Sequence, residues 1–505
     1  MKRKIRKVLI ANRGEIAVRV IRTCKEMNIV TVAVFSEIDR TMPHVRFADE
    51  AYCIGKATAA ETYLQKEKII EVALKSGCDA IHPGYGFLSE NSTFSQMVDD
   101  AGLIFIGPPA VAIKAMGDKV AARNLVKMAG VPIVPGTDAP ITNLKIAYEF
   151  GDQFQYPILL KAAGGGGGKG MRIVHKEDEL ESAFRGAQSE AKSAFSDDRV
   201  YIEKYLENPR HIEFQILADK YGNAVHLGER ECSIQRRHQK IIEESPSVII
   251  TPQMREEMGR SATMAAISAK YVNAGTIEFL VDEHRKYYFL EMNTRLQVEH
   301  PVTEMRTGVD LVKEQIYIAM GEPLRFKQNE IKFDGHALEC RIYAEDSENN
   351  FLPSIGTITK LRSPQGFGIR EDRGVDVGNQ ISVYYDPMIS KLIAWAKTRE
   401  DVINRMTLAL NEYDLTGVKT NINLCKWIIN HPKFVEGDFN THFLNENYNF
   451  NEMKKDRTDI RKVLSAAACI IHKYEKTEHS EIRTASTDRL QSSKWKLKRY
   501  EHLND

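Results

Sequence analysis

Along the first 115 residues, apolar and polar positions follow two periods in turn. KVLIAN (7 to 12) is a continuous apolar run suited to a strand buried on both faces. IAVRVIRTCKEMN (16 to 28) places its apolar residues at helical spacing, and IVTVAVF (29 to 35) is a second strand ending near Glu37 and Asp39. AIHPGYG (80 to 86) and LIFIGPP (103 to 109) repeat the strand-then-turn pattern. The alternation predicts an open, mostly parallel α/β domain of the doubly wound kind. Its lone Gly14 falls short of a dinucleotide fingerprint, and the fold alone assigns no function.

The pattern changes after residue 130. Residues 131 to 203 hold VPIVPG, a helix and a glycine-rich segment, and predict a small α+β lid. Strands such as HIEFQILAD (211 to 219) and TIEFLVD (276 to 282) follow, with helices between them, and a further β-rich part begins at GHALECRIYAED (335 to 346). The last 55 residues carry 13 basic and 9 acidic side chains. Within them VLSAAACIIHKY (463 to 474) fits a short amphipathic helix and SKWKLKRY (493 to 500) a charged strand or arm; a solvated tail fits as well.

Five consecutive glycines in KAAGGGGGKGMRI (161 to 173) are entropically costly unless the bare backbone is itself the working surface. Successive unobstructed N–H groups make an anion-binding concavity, and Lys161 and Lys169 add charge to it. A Walker loop is excluded because its first and last positions fall on Ala163 and Gly170. The dinucleotide motif must open a helix, whereas PILLK (157 to 161) and MRIV (171 to 174) both read as strands. The glycines therefore cap a hairpin, either as a flap over a nucleotide or as a plain surface turn.

Composition narrows the class. The chain of 505 residues suits about three domains. With 43% hydrophobic and 28% charged residues and a net charge of +1, it lacks the basic surface that nucleic acid demands. Seven scattered cysteines without a CxxC pair point to reduced thiols in the cytoplasm. The apolar run near the N-terminus is too short for a signal peptide, and no membrane span is expected.

TIEFLVDEHRKYYFLEMN (276 to 293) predicts a hairpin. If Asp282 pairs with Tyr287, Glu278 stands opposite Glu291 and Thr276 opposite Asn293. Like charges so placed call for a cation between them, unless the glutamates point to solvent; an oxygen-only set suits Mg²⁺ carrying phosphates. In TRLQVEHPVTE, read as an extended strand, Arg295, Gln297 and Glu299 share one face. A cation, a hydrogen bonder and a carboxylate suit a planar anion that must lose a proton, such as bicarbonate, although a solvated strand face looks similar. Gln235, His238 and Lys240 lie between apolar flanks, and EKYLENPRH (203 to 211) places polar and apolar groups at an expected domain edge suited to adenine.

Taken in order, MGDK (116 to 119), KAAGGGGGKGM, EKYLENPRH, QRRHQK, FLEMNTRLQVEHPVTE, GHALECRI and YYDPMISKLI resemble the biotin carboxylase family of ATP-grasp enzymes across residues 5 to about 447. The resemblance implies an α/β ATP-grasp fold: a Rossmann-like domain at 1 to 115, an ATP-grasp domain at 116 to 331 with a mobile lid at about 131 to 203, a C-terminal α/β domain at 332 to 447 and an extension at 448 to 505. It implies that Lys119, Lys161, Glu203, Lys204, Leu206, His211, Gln235 and His238 hold ATP, with Gly165, Gly166, Gly167 and Gly168 covering its phosphates. Glu278, Glu291 and Asn293 would carry Mg²⁺ or Mn²⁺, two ions in all. Lys240, Arg295, Gln297 and the Val298 backbone would bind bicarbonate. Glu299 would be the general base, and Arg341 would stabilise biotin's ureido oxygen near Tyr85 and Asp386.

EMKKD (452 to 456) lacks the second methionine of a biotin attachment motif, so biotin is expected in trans on a carrier protein. The carboxyltransferase is expected as a separate polypeptide, and the enzyme as a homodimer. The competing expectations are acetyl-CoA or propionyl-CoA carboxylase, a two-subunit pyruvate carboxylase, another ATP-grasp ligase and a nucleotide-binding subunit without catalysis. Replacing Gly166 and Gly167 with alanine should slow turnover and weaken ATP affinity while the circular dichroism spectrum is unchanged. Wild-type turnover in that variant would reject the flap.

Overall fold

In the computed structural model the described residues are 4–137, 139–141, 143–162, 171–195, 199–449 and 464–472. The glycine run, the Lys119 side chain and residues 493 to 500 lie outside them.

The N-terminal alternation folds as read. Strands β1 (Lys7–Ile10), β2 (Val30–Ser36), β3 (Glu50–Gly55), β4 (Ala80–His82) and β5 (Ile104–Phe105) form a parallel sheet in the order β3-β2-β1-β4-β5. Helix α1 (Gly14–Glu26) buries Ile16, Ala17, Val20, Ile21 and Cys24, one stripe at helical spacing. Gly14 makes its sharp entry at φ +66°, and no other heavy atom lies within 4 Å of where a Cβ would stand.

Strands β6 (Ile158–Ala162), β7 (Met171–Val174) and β8 (Val200–Lys204) form a three-stranded antiparallel sheet in the order β7-β6-β8. Lys161 pairs with Met171, so the two arms flanking the glycines are a hairpin, as their β-rich sequence requires. Helices α2 (Leu144–Phe154) and α3 (Leu180–Phe195) cover it, and Ile158, Leu160, Val174, Leu180 and Ile202 make a core of its own.

The largest element is an eight-stranded antiparallel sheet. It contains β9 (Arg210–Ala218), β10 (Ala224–Arg236), β11 (Gln239–Ser245), β12 (Asn273–Val281), β13 (Tyr287–Asn293), β14 (His336–Tyr343), β15 (Ile369–Arg373) and β16 (Met388–Ala396). Their order is β13-β12-β9-β10-β11-β14-β16-β15, so residues 210 to 293 and 336 to 396 share one sheet. Helix α4 (Pro252–Ser268) packs Met258, Ala262, Ala265 and Ala266 against Ile212, Phe214 and Ile216. It begins with Thr251, whose hydroxyl accepts from Met254 N, followed by Pro252.

Of the described residues, 348–350, 449 and 464–472 belong to a second unit. Within that second unit 464–472 is helical, with every residue exposed.

Candidate active site

Strand β9 is buried along its whole length, yet between His211 and Ile216 polar and apolar residues alternate. Ile212, Phe214 and Ile216 enter the core with α4, so His211, Glu213 and Gln215 take the opposite face. Register then fixes the neighbours. Glu213 stands opposite Glu278 of β12 and opposite Arg230 of β10, and Glu278 stands opposite Glu291 of β13. Three carboxylates adjoin across one sheet face, an arrangement that repels unless cations intervene.

Lys240 of β11 is the cation at the centre. Its ammonium donates to Glu213 Oε2 at 2.5 Å, Glu299 Oε1 at 2.7 Å and Glu278 Oε1 at 3.0 Å. Burial opposes its charge, but Glu213, Glu278 and Glu299 raise its pKa well above the usual lysine value. Arg230, fully buried, donates to Glu213 Oε1 at 2.5 Å, Gln215 Oε1 at 2.8 Å and Gln297 Oε1 at 2.5 Å. Glu278 also accepts from Asn293 and Gln297, each at 2.7 Å, with His211 Nε2 2.7 Å from its second oxygen. Burial would raise the Glu278 pKa, but Lys240 and then His211 hold it well below the carboxylate range.

Arg341 of β14 closes the cluster from the other side, donating to Glu243 Oε1 at 2.5 Å and Glu299 Oε2 at 3.0 Å. Both oxygens of Glu299 are therefore taken by cations. Burial is overcome by Lys240, then Arg341 and Arg230, and its pKa falls below the usual carboxylate range. Arg295 is salt-bridged to Glu90 at 2.8 Å and donates to Asn293 Oδ1 at 2.9 Å, which joins it to the cluster through Asn293. Val298 enters through its carbonyl, which accepts from Lys391 at 2.9 Å.

Two local expectations are corrected. Val281, not Asp282, pairs with Tyr287, and a bulge between the Phe279 and Glu278 pairings restores the expected facing of Glu278 with Glu291 and of Thr276 with Asn293. Arg295, Gln297 and Glu299 do not lie on a strand. The chain bends after Asn293 and enters helix α5 (His300–Thr307) with Pro301 in its first turn, so a turn and a helix N-terminus bring Gln297 and Glu299 together.

Other candidates lie outside that cluster. Lys161 is ion-paired to Glu203, which Arg123 also contacts at 3.2 Å, and Lys204 donates to Gln155 O at 3.0 Å. Leu206 is half-buried just past β8. Gln235 pairs with Lys240 across the β10–β11 hairpin, whose turn places Arg237 and exposed His238 at positive φ. Tyr85 is half-buried, with its ring 6.0 Å from the Lys391 ammonium. Asp386 is exposed and accepts from Met388 N at 2.9 Å. Sequence reasoning missed Glu213, Arg230, Glu243 and Lys391; the buried polar alternation of HIEFQ was the one usable signal, and it pointed to Glu213.

These features define an ATP-grasp ligase: a hairpin whose arms flank the glycine run in sequence, an antiparallel sheet carrying paired carboxylates, and a buried cation cluster around one glutamate. The chain belongs to the biotin carboxylase family. Residues 4–113 match the biotin carboxylase N-terminal domain, 118–327 the carbamoyl-phosphate synthase L chain ATP binding domain, and 339–446 the biotin carboxylase C-terminal domain. It is 54% identical to a pyruvate carboxylase subunit of Methanothermobacter thermautotrophicus over 87% of this chain and 89% of that protein. It is 53% identical to the biotin carboxylase of Haemophilus influenzae over 89% of this chain and all of that protein. The solved biotin carboxylase domain dimer of Hydrogenobacter thermophilus 2-oxoglutarate carboxylase, in complex with MgADP, ADP and bicarbonate, matches with a TM-score of 0.81 at 51% identity. That match covers 88% of this chain and 97% of that one.

Beneath Arg341 lies a second acid pair. Glu243 and Glu339 face each other across β11 and β14, both fully buried, and neither Glu339 oxygen has a hydrogen-bond partner among the described residues. Burial, then Glu243, drives the Glu339 pKa well above the carboxylate range. A raised folded-state pKa gives stability that is full below the unfolded value and is lost as pH rises through the folded one. Glu339→Gln stays neutral throughout and should flatten the fall in melting temperature as pH rises above the ordinary glutamate value of about 4.3. An equally steep fall in the variant would show that Glu339 is not the group titrating.

Proposed function

We propose that the protein is a biotin carboxylase, using ATP and bicarbonate to carboxylate biotin presented on a separate carrier protein. The observation that carries this reading is Glu299 held between Lys240 and Arg341 and beside Gln297, all but closed to solvent. That geometry suits a base acting on an anion which cations bind. Lys240, Arg295, Gln297 and the Val298 backbone bind bicarbonate, and Glu299 accepts its proton. The freed oxygen attacks the γ-phosphorus of ATP, the bond to the β-phosphate oxygen breaks, and ADP leaves carboxyphosphate behind. This breaks down to CO₂ and phosphate; phosphate takes the proton from biotin N1, and N1 bonds to CO₂. Arg341, near Tyr85 and Asp386, stabilises the negative charge developing on the ureido oxygen.

ATP lies among Lys119, Lys161, Glu203, Lys204, Leu206, His211, Gln235 and His238, and the lid spanning about 131 to 203 closes through Gly165 to Gly168. Closure keeps water from an intermediate that hydrolyses readily. Glu278, Glu291 and Asn293 offer oxygen donors only, which fits Mg²⁺ or Mn²⁺. Such ions supply charge neutralisation on the phosphates.

The Rossmann-like, ATP-grasp and C-terminal domains are assigned to 1 to 115, 116 to 331 and 332 to 447. Acetyl-CoA or propionyl-CoA is the acceptor served by the transferase in one reading. Pyruvate is the acceptor in the second, which the similarity to a pyruvate carboxylase subunit favours. We place the enzyme in the cytoplasm as a homodimer. No helix among the described residues is long and apolar enough to cross a membrane.

Bicarbonate-dependent ATP cleavage stimulated by free biotin should fall about 10²- to 10⁴-fold in Glu299→Gln. Undiminished cleavage in that variant would reject Glu299 as the base. The extension from 448 docks the carrier or the transferase through its exposed 464–472 helix. Truncation after residue 450 should then abolish co-purification with those partners while ATP cleavage persists, and intact complexes would refute the docking role.

A further inference from the structure

The segment 294–299 carries the bicarbonate-facing groups without pairing to any strand. Side chains hold its backbone instead. The Gln297 carbonyl lies 2.8 Å from His300 Nδ1, which must be the donor because a carbonyl only accepts. The Val298 carbonyl accepts from Lys391 Nζ at 2.9 Å. A peptide unit is planar, so holding each carbonyl also sets the N–H on the same plane. His300 thereby orients the Val298 N–H, and Lys391 orients the peptide that leads into Glu299.

Lys391 is an unusual residue for a mere strand position. Its side chain has no exposure, and its ammonium lies 3.2 Å from Glu15 Oε2 of α1 and 3.7 Å from Asp372 Oδ2 of β15. Asp372 is already bound by both nitrogens of the Arg370 fork, at 3.0 and 2.7 Å. Glu15 has no hydrogen-bond partner among the described residues apart from this ion pair. One buried cation thus joins α1, the β15–β16 edge of the large sheet and the backbone beside the proposed base. Building such a junction needs a buried charge, which a neutral residue of similar shape would avoid.

We infer that Lys391 is a positioning residue for bicarbonate: its bond to the Val298 carbonyl fixes the peptide that presents Glu299 to the anion, beside the Val298 N–H that His300 orients. The inference rests on the carboxylase reading above. Misplacing a reacting group by about 1 Å costs up to roughly 10²-fold. The effect should fall on bicarbonate and spare ATP.

The test uses the full chain carrying Glu15→Gln together with Lys391→Met, which removes the cation and the carboxylate nearest it together and leaves Asp372 to the Arg370 fork. The double variant should melt close to the unsubstituted protein. Its KM for bicarbonate should rise about tenfold or more while its KM for ATP stays within about twofold. Glu15→Gln alone keeps the bond to Val298 and should keep the KM for bicarbonate. Three results overturn the inference: an unfolded double variant, a parallel rise in both KM values, or an unchanged KM for bicarbonate. If the unsubstituted protein shows no bicarbonate-dependent ATP cleavage, the carboxylase reading falls and this one with it.

Discussion

The Lys240 ammonium is the contact on which the centre of this molecule depends. Three buried glutamates converge on it from β9, β12 and the turn before α5. Removing one partner of a buried ion pair typically costs about 3–5 kcal/mol, because the remaining charge is left desolvated. Here one cation serves three carboxylates, two of which adjoin on paired strands. The same residue that lets the polar sheet face be buried is, in the proposed reaction, the one bicarbonate meets, so folding and chemistry would draw on a single charge.

Around that centre, distant parts of the chain are tied by ion pairs rather than by apolar packing alone. Arg19 of α1 reaches Glu304 of α5 and Asp310, each at 2.8 Å, and Arg370 of β15 reaches Glu304 at 2.8 Å. Arg13 forks onto Asp39 at 2.6 and 2.7 Å while its guanidinium lies 4.2 Å from the Tyr385 ring, in the segment that carries Asp386. The position of α5 is thus set by partners as far as 285 positions away along the chain. Such pairs are worth more here than at a surface, because most of the groups are shielded from water.

Much of the fold was legible, since strand runs and helical spacing reflect burial directly. The N-terminal sheet, the arms of the glycine hairpin and the β12–β13 hairpin all followed from local pattern. The facing of Glu278 and Glu291 was reached from a pairing one residue out of step, which the bulge corrected; nothing in FLEMN announces that extra residue. The strand reading of Arg295, Gln297 and Glu299 failed because a helix begins at His300, with Pro301 in its first turn, and the polar alternation before it belongs to a turn. Glu213 left a trace in the buried alternation of β9. Arg230, Glu243 and Lys391 left none, because their significance lies in partners that only tertiary structure supplies.

One consequence of the engagement of Glu299 concerns idle turnover. A carboxylate whose two oxygens are held by Lys240 and Arg341 is a feeble proton acceptor at neutral pH. Water in its place would gain little activation and would hydrolyse ATP slowly. In the proposed reaction an arriving bicarbonate would bring its own negative charge, compete for the same cations and free the carboxylate to accept a proton. On that reading the second substrate would switch on the group that activates it, and nucleotide would be spared in the intervals when that substrate is scarce.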